Sequence, residues 1–310
     1  MFLEQDEYII IMEDLFSPFS SEDIKRVEEA GIKTVYVSTS IWWDKLHHSF
    51  SMINWTDLDK RLEKLLNSNL KLLLPFYYTT PSWFPDSWYI HKHKLATHIL
   101  PNFGNTDFEW AVDNFADEIL EHYSEYKDRI QLTFSIPSGG EFLWDAVQTS
   151  NYPMSDEMII NFVLNRQRHL VKQHGEVWTH LHNFLGDPMN WNNTHLPVLY
   201  QAIRDEFPDV PFYSIQFAHF TCGHLQNRLD GQFKVKEYTE KFGIKFYVGS
   251  DYCEGLTTNF DALAEQKAWG FFTCPMHSEN LVKHTSIEPW MVDTLRTTNE
   301  KIKEVWNGRD

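Results

Sequence analysis

The 310 residues, 42% hydrophobic and 15% aromatic, are enough to bury a large core, as one large domain or two small ones. A net charge of -17 without any basic run argues against nucleic acid and anionic membrane surfaces as partners. Three cysteines without CxxC spacing (Cys222, Cys253, Cys274) read as free thiols of a reducing compartment, not as a disulfide framework.

Along the chain, short apolar runs alternate with amphipathic segments. The first strand is read at Tyr8–Met12, a run too short for a signal peptide or a membrane span, which gives the expectation of a cytoplasmic protein. Its helix, Ser21–Ala30, opens with the capping pattern Ser20-Ser-Glu-Asp23 and stops at Gly31. The next units are Thr34–Ser38 with Trp55–Asn67, Lys71–Phe76 with Asp107–Tyr126, and Ile130–Ser135 with Asp156–His174. The last of these helices starts at Ser155-Asp-Glu-Met158 and ends at Gly175. Val177–His182 pairs with Thr194–Glu206, and Phe212–Phe217 with Phe233–Phe242, closed by Gly243. Lys245–Gly249 with Asn259–Trp269 and Gly270–Cys274 with Pro289–Trp306 complete the series.

Eight β-then-α units match the arithmetic of an α/β fold of one kind, a (β/α)8 TIM barrel, and no linker divides residues 1–310. A doubly wound sheet rarely needs eight such even units, and neither GxGxxG nor a P-loop follows the first strand. Long βα loops follow strands two (Thr39–Asn54), three (Tyr77 to Thr106) and four (Glu141–Met154), whereas the αβ connections are tight. Barrel active sites are assembled from βα loops at the carboxyl face. Aromatic residues crowd the polar, loop-like segments (Trp42-Trp43, Trp83, Trp88, Trp144, Trp191), and a groove lined with rings is expected there. Trp42, Trp83, Trp144 and Trp191 are the candidates for stacking on a sugar, with simple packing as the alternative for each.

Two strand ends carry the chemistry. In Ile130-Gln-Leu-Thr-Phe-Ser-Ile-Pro-Ser-Gly-Gly-Glu141-Phe-Leu-Trp144, an apolar run ends in a glycine turn and presents a carboxylate beside rings. Ile244-Lys-Phe-Tyr-Val-Gly-Ser-Asp-Tyr-Cys-Glu254-Gly255 repeats the arrangement. Cleaving a glycosidic bond needs one carboxyl group to protonate the leaving oxygen and a second to act as nucleophile or as base toward water. Glu141 and Glu254 are the expected pair, with a carbohydrate as substrate, no cofactor and no metal.

Trp55-Thr-Asp-Leu-Asp59 followed by Leu70-Lys-Leu-Leu-Leu-Pro-Phe-Tyr-Tyr-Thr-Thr-Pro-Ser-Trp-Phe-Pro85 resembles the same region of clan A glycoside hydrolases, and most of all family 42 β-galactosidases and the related β-amylases. The resemblance implies an acid/base glutamate after strand four and a nucleophile after strand seven, the places of Glu141 and Glu254. Retaining members carry Asn before the acid/base glutamate, whereas Gly140 stands here, closer to the inverting β-amylases.

Around the pair, Asp14 (next to Glu13), Asp251 and Glu279 in Met276-His-Ser-Glu-Asn280 are expected to bond sugar hydroxyls or to tune a neighbouring carboxyl, with a helix-capping Asp or a solvated pair as the alternative for Asp14 and Asp251. Glu279 is also a reserve catalytic candidate, and His182 and Asn183 suit hydrogen bonding to hydroxyls. Two rival readings stand beside the hydrolase. Strand-end His180, His182 and His219 with Asp251 or His277 make the donor set of a metal-dependent barrel hydrolase, although strand one lacks an HxH pair. Gly140 in place of Asn invites a barrel that binds a glycan without cleaving it. Oligomeric state is not legible.

Overall fold

Strands buried on both faces read as unbroken apolar runs, and here each such run forms a parallel strand. The computed structural model describes residues 2–3, 6–13, 18–38, 41–49, 52–77, 81, 83–91, 100–135, 156–183, 189–218, 234–250, 253, 255–258, 260–275 and 286–307. The barrel strands are β1 (Ile9–Glu13), β2 (Thr34–Val37), β3 (Lys71–Tyr77), β4 (Ile130–Ser135), β5 (Val177–Asn183), β6 (Phe212–Ala218), β7 (Ile244–Ser250) and β8 (Gly270–Thr273). Each pairs in parallel with its sequence neighbour, and β8 returns to β1 through Ile9↔Phe271, Ile10↔Phe272 and Ile11↔Thr273, which closes the cylinder. The protein is a (β/α)8 TIM barrel.

A helix follows each strand: α1 (Ser21–Glu29), α2 (Thr56–Leu66), α3 (Thr106–His122), α4 (Asp156–His174), α5 (Met189–Glu206), α6 (Val235–Phe242), α7 (Phe260–Glu265) and α8 (Pro289–Asn307). The capping pattern read at α1 is a true capping box. Ser20 Oγ accepts from the Asp23 amide at 3.2 Å, and Asp23 Oδ2 accepts from the Ser20 amide at 2.9 Å. Asp23 also receives the Ile287 amide at 2.7 Å, which ties the start of α1 to the segment before α8. Gly31, Gly175 and Gly243 take left-handed φ of 76°, 74° and 61° where the helices stop. Ser155, the expected cap of α4, lies outside the described residues.

Some boundaries differ from expectation. Helix α3 ends at His122, and a separate 3-10 turn occupies Ser124–Tyr126. Helix α5 starts at Met189 and carries Pro197 within it. Helix α7 stops at Glu265 because the chain must turn back into β8: Ala268 donates to Leu263 O, Lys267 takes φ 54°, and Trp269 donates to Phe246 O on β7. None of the described helices is long and apolar enough to cross a membrane.

Alternation along the strands sorts side chains into two cores. Ile9, Ile11, Val35, Val37, Leu72, Leu74, Phe134, Phe246 and Phe271 pack outward beneath the helices. Ile10, Met12, Tyr36, Leu73, Trp178, Tyr213, Ile215, Tyr247, Phe272 and Cys274 fill the cylinder, with Phe2 and Leu3 joining them. At the amino end Glu176 accepts from the Phe2 amide (2.6 Å) and from Trp178 Nε1 (3.0 Å). Lys71 Nζ donates to Phe2 O at 2.6 Å and lies 3.3 Å from Glu7, while the Tyr247 hydroxyl donates to Glu7 O at 2.6 Å. Burial raises the Glu176 and Tyr247 pKa values and lowers that of Lys245. This end of the barrel is therefore closed by packed rings and paired charges.

The long loops after β2 and β3 carry structure of their own. Ile41–Trp42 adds a short strand beside β3, Trp43–Leu46 is a helical turn, and His47–Ser49 pairs with Met52–Ile53. Tyr89–His91 pairs with Leu100–Pro101. The segment expected as the long loop after β4 lies outside the described residues.

Two of the rings expected to line a groove, Trp43 and Trp88, are buried instead. Trp43 is 0% exposed, stacks on Phe115 (5.2 Å, 14°), meets Phe84 edge-on at 4.8 Å and donates from Nε1 to His47 Nδ1 at 3.0 Å. Trp88 is buried against Phe84 and Phe108. These two rings are core because the loops are long enough to extend the outer core over α3, and aromatic area is what stabilises that extension. Trp43→Ala should cost about 3–5 kcal/mol of stability, measured by urea unfolding.

Candidate active site at the carboxyl end of the barrel

Parallel strands deliver all their carboxyl ends to one face, so Glu13, Val37, Tyr77, Ser135, Asn183, Ala218, Ser250 and Thr273 ring the same mouth. Glu141 follows the end of β4 by six positions, and Glu254 follows the end of β7 by four; both lie outside the described residues, as do Asp14, Trp144, Asp251 and Glu279. The strand ends that these positions follow share one rim. His219, His277 and Cys222 are likewise outside the described residues.

Glu254 is nonetheless bracketed. Cys253 and Gly255 on either side of it are buried, and the Leu256 amide donates to Cys253 O at 3.2 Å to open the helical turn Gly255–Thr258. Cys253 Sγ lies 3.5 Å from the carbonyl oxygen of Cys274, just past the end of β8, and Cys274 Sγ touches Met12 Sδ of β1 at 3.9 Å.

Of the remaining candidates, Trp42 is held by its backbone at the rim, opposite Tyr77 in register with β3. His182 and Asn183 are the last residues of β5 and stand opposite Phe217 and Ala218 of β6. Trp191 lies in the first turn of α5. The side chains of these four residues are outside the described set. Trp83 is half-buried: its Nε1 donates to His47 O at 2.8 Å, and its ring lies edge-on to His47 (4.8 Å) and Phe84 (4.6 Å).

Glu13, next to Asp14, has a structural role. Its side chain is 2% exposed and turns outward to Arg61 of α2, which donates from Nε at 3.0 Å and from Nη2 to the carboxylate. The Phe19 amide adds a third donor at 3.3 Å, and the Ser38 amide donates to Glu13 O at 2.9 Å. The end of β1 is thus tied to α2 and β2.

A buried polar pair beneath the mouth was not singled out from sequence. The Tyr36 hydroxyl of β2 lies 3.1 Å from His180 Nδ1 and 3.3 Å from Nε2, and one imidazole nitrogen serves it at a time. The rings meet edge-on at 5.3 Å. Tyr36 and His180 occupy inward positions of their strands, a signal the alternation carried for each but not for the pair. Complete burial holds the His180 pKa down to about 3, so the imidazole is neutral at ordinary pH. His180 was expected as one member of a possible metal set; here its ring is engaged with Tyr36. Among the described residues, no group of three His, Cys, Asp or Glu side chains is arranged to hold a metal ion.

No family model matches the sequence, and no curated protein does. Solved structures match in fold. A β-galactosidase from the psychrophilic Marinomonas ef1 superposes with TM-score 0.63 at 11% identity, covering 97% of this chain and 60% of that one. The catalytic domain of the Paenibacillus polymyxa β-amylase gives TM-score 0.62 at 11% identity, covering 96% of this chain and 99% of that one. Xylanase 10B from Thermotoga maritima gives 0.56 at 12%, covering 97% of both chains. The chain thus spans about 60% of the length of the Marinomonas enzyme. At such identities the likeness shows the barrel fold, and it agrees at that level with the resemblance read from the sequence.

His180 makes stability depend on pH in a defined direction. An unfolded His titrates near 6.5 and the folded one near 3, so the unfolded state binds the extra proton between those values. The contribution is complete above pH 6.5 and lost as pH falls toward 3. His180→Gln should remove about 1.4 kcal/mol per pH unit from the slope of unfolding free energy between pH 4 and 6, measured by urea titration at each pH.

Proposed function

We propose that the protein is a glycoside hydrolase acting on an oligo- or polysaccharide, with Glu141 as general acid and Glu254 as nucleophile or base. The observation that carries this reading is the closed parallel barrel, in which the ends of β4 and β7 share one rim and each is followed by one of the two glutamates. A paired acid and base across a sugar is the minimum equipment for the reaction. The fold neighbours add support, because structures named as β-galactosidase, β-amylase and xylanase share this barrel. His182 and Asn183, which end β5, and Asp14, Asp251 and Glu279, which follow the ends of β1, β7 and β8 in sequence, are assigned to sugar hydroxyls, and Trp42, Trp83, Trp144 and Trp191 to stacking.

The closed amino end also favours a mouth at the carboxyl end. Trp178 stacks on Tyr213 at 4.7 Å, and the plug of Phe2 and Leu3 leaves that end filled. In the middle of the barrel the neutral Tyr36–His180 pair presents no charge that competes with a carboxylate above it.

The test uses aryl glycosides and natural oligosaccharides with wild type, Glu141→Gln and Glu254→Gln. Each Gln keeps the shape and removes the titrating oxygen. Turnover in wild type and a loss of at least about a thousandfold in both variants is expected, with unfolding midpoints unchanged. Near-wild-type activity in either variant would refute that residue's role. The anomer first released, read by proton NMR, reports the separation of the two carboxyl groups: roughly 5 Å for retention and roughly 6.5–9.5 Å for inversion.

A further inference from the structure

A catalytic carboxylate must be held to a fraction of an ångström, and a residue in a βα loop obtains that rigidity only from what its neighbours are tied to. Glu254 stands four positions beyond β7, past the last hydrogen-bonded residue of that strand. Its neighbours supply the anchor. The Cys253 side chain is 0% exposed and directs Sγ to the carbonyl oxygen of Cys274 at 3.5 Å. That carbonyl belongs to the residue following β8, so the contact spans from the β7 loop to the next strand of the barrel. Cys274 turns its own sulfur inward against Met12 of β1 at 3.9 Å, which fixes the acceptor's residue in turn. On the other side, Leu256 donates to Cys253 O and is fully buried.

We infer that Cys253 is a positioning residue for Glu254, acting through its thiol contact to the carbonyl of Cys274. The inference rests on the role proposed for Glu254 and adds the means by which that residue is held. A buried cysteine behaves as a small hydrophobe with a weak S–H donor, and it suits a place that needs both burial and one donor. Serine keeps the donor in a smaller side chain, whereas alanine keeps neither the donor nor the sulfur's volume.

The experiment compares Cys253→Ala and Cys253→Ser with wild type in steady-state kinetics over pH and in amide hydrogen exchange. In Cys253→Ala, kcat should fall roughly ten- to a hundredfold with KM changed less than about twofold, since small misplacement of a reacting group acts on the chemical step. The limb of the pH–rate profile that is lost in Glu254→Gln should shift. Exchange at the Leu256 amide should quicken by roughly tenfold, and Cys253→Ser should recover most of both effects. Wild-type kcat, pH profile and exchange in Cys253→Ala would overturn the inference. A loss shared equally by the alanine and serine variants, with a lowered unfolding midpoint, would overturn it too, because packing alone would then be at work. If Glu254→Gln stays active, the proposed role of Glu254 fails instead. If wild type turns over nothing, the exchange arm decides: unchanged Leu256 exchange in Cys253→Ala refutes the anchor, and serine-reversible quickening upholds it.

Discussion

Closure of the cylinder is the constraint on which the rest depends. Once β8 pairs with β1, each of the eight barrel strands has a neighbour on both sides, and the backbone donors and acceptors of the barrel are paired between them. Closure also defines one interior that must be filled at protein density. This chain fills it with unusually large inward residues: Trp178, Tyr213 and Tyr247 stack toward the amino end, and Tyr36 and Phe272 meet edge-on at 5.0 Å nearer the middle. A barrel plugged in this way has room for chemistry at one end only. The placement of candidate residues at the carboxyl rim thus follows from packing as much as from fold habit.

The same economy governs polar groups. Charged residues taken into the wall and floor are paired: Glu13 has Arg61, Glu176 has the Phe2 amide and the Trp178 indole, and Lys71 has Glu7. Removing one partner of a buried pair leaves an uncompensated charge at a cost of about 3–5 kcal/mol, so these pairs hold the scaffold's register. His180 is treated differently: it is kept neutral by burial and bonded to a hydroxyl. The scaffold beneath the rim is therefore electrically quiet, and charges placed at the rim interact through a medium that the protein controls.

The fold was legible because each strand is an apolar run and several helices carry their own start or stop signals, as at Ser20, Gly31, Gly175 and Gly243. Ile130–Ser135 and Asp156–His174 fall where the pattern puts them, and the other strands differ by about a residue at their ends. What was not legible came from contacts across the barrel. Tyr36 and His180 are 144 positions apart, and only closure brings the two inward faces together. The aromatic loops misled for a related reason. Trp43 and Trp88 sit among polar residues in sequence, yet α3 offers Phe108 and Phe115 as a surface on which the loops can fold. Local polarity predicted exposure, and tertiary packing overrode it. Helix α5 likewise starts at Met189, before the expected Thr194, and Pro197 within it forfeits a hydrogen bond that surrounding packing must offset.

Neighbouring carboxylates show how strand geometry divides labour. Glu13 is the last residue of β1, and alternation sends its side chain outward with Ile9 and Ile11, away from the interior that Ile10 and Met12 enter. Outward at that level means contact with α2, and Arg61 is there to receive it. A single-residue shift of register would exchange the two faces, carrying Glu13 into the cylinder and stranding Arg61 against the outer core. The ion pair and the apolar alternation thus specify the same register independently. That agreement fixes the height at which β1 ends, and with it the level of the rim to which the loops of the proposed active site are joined.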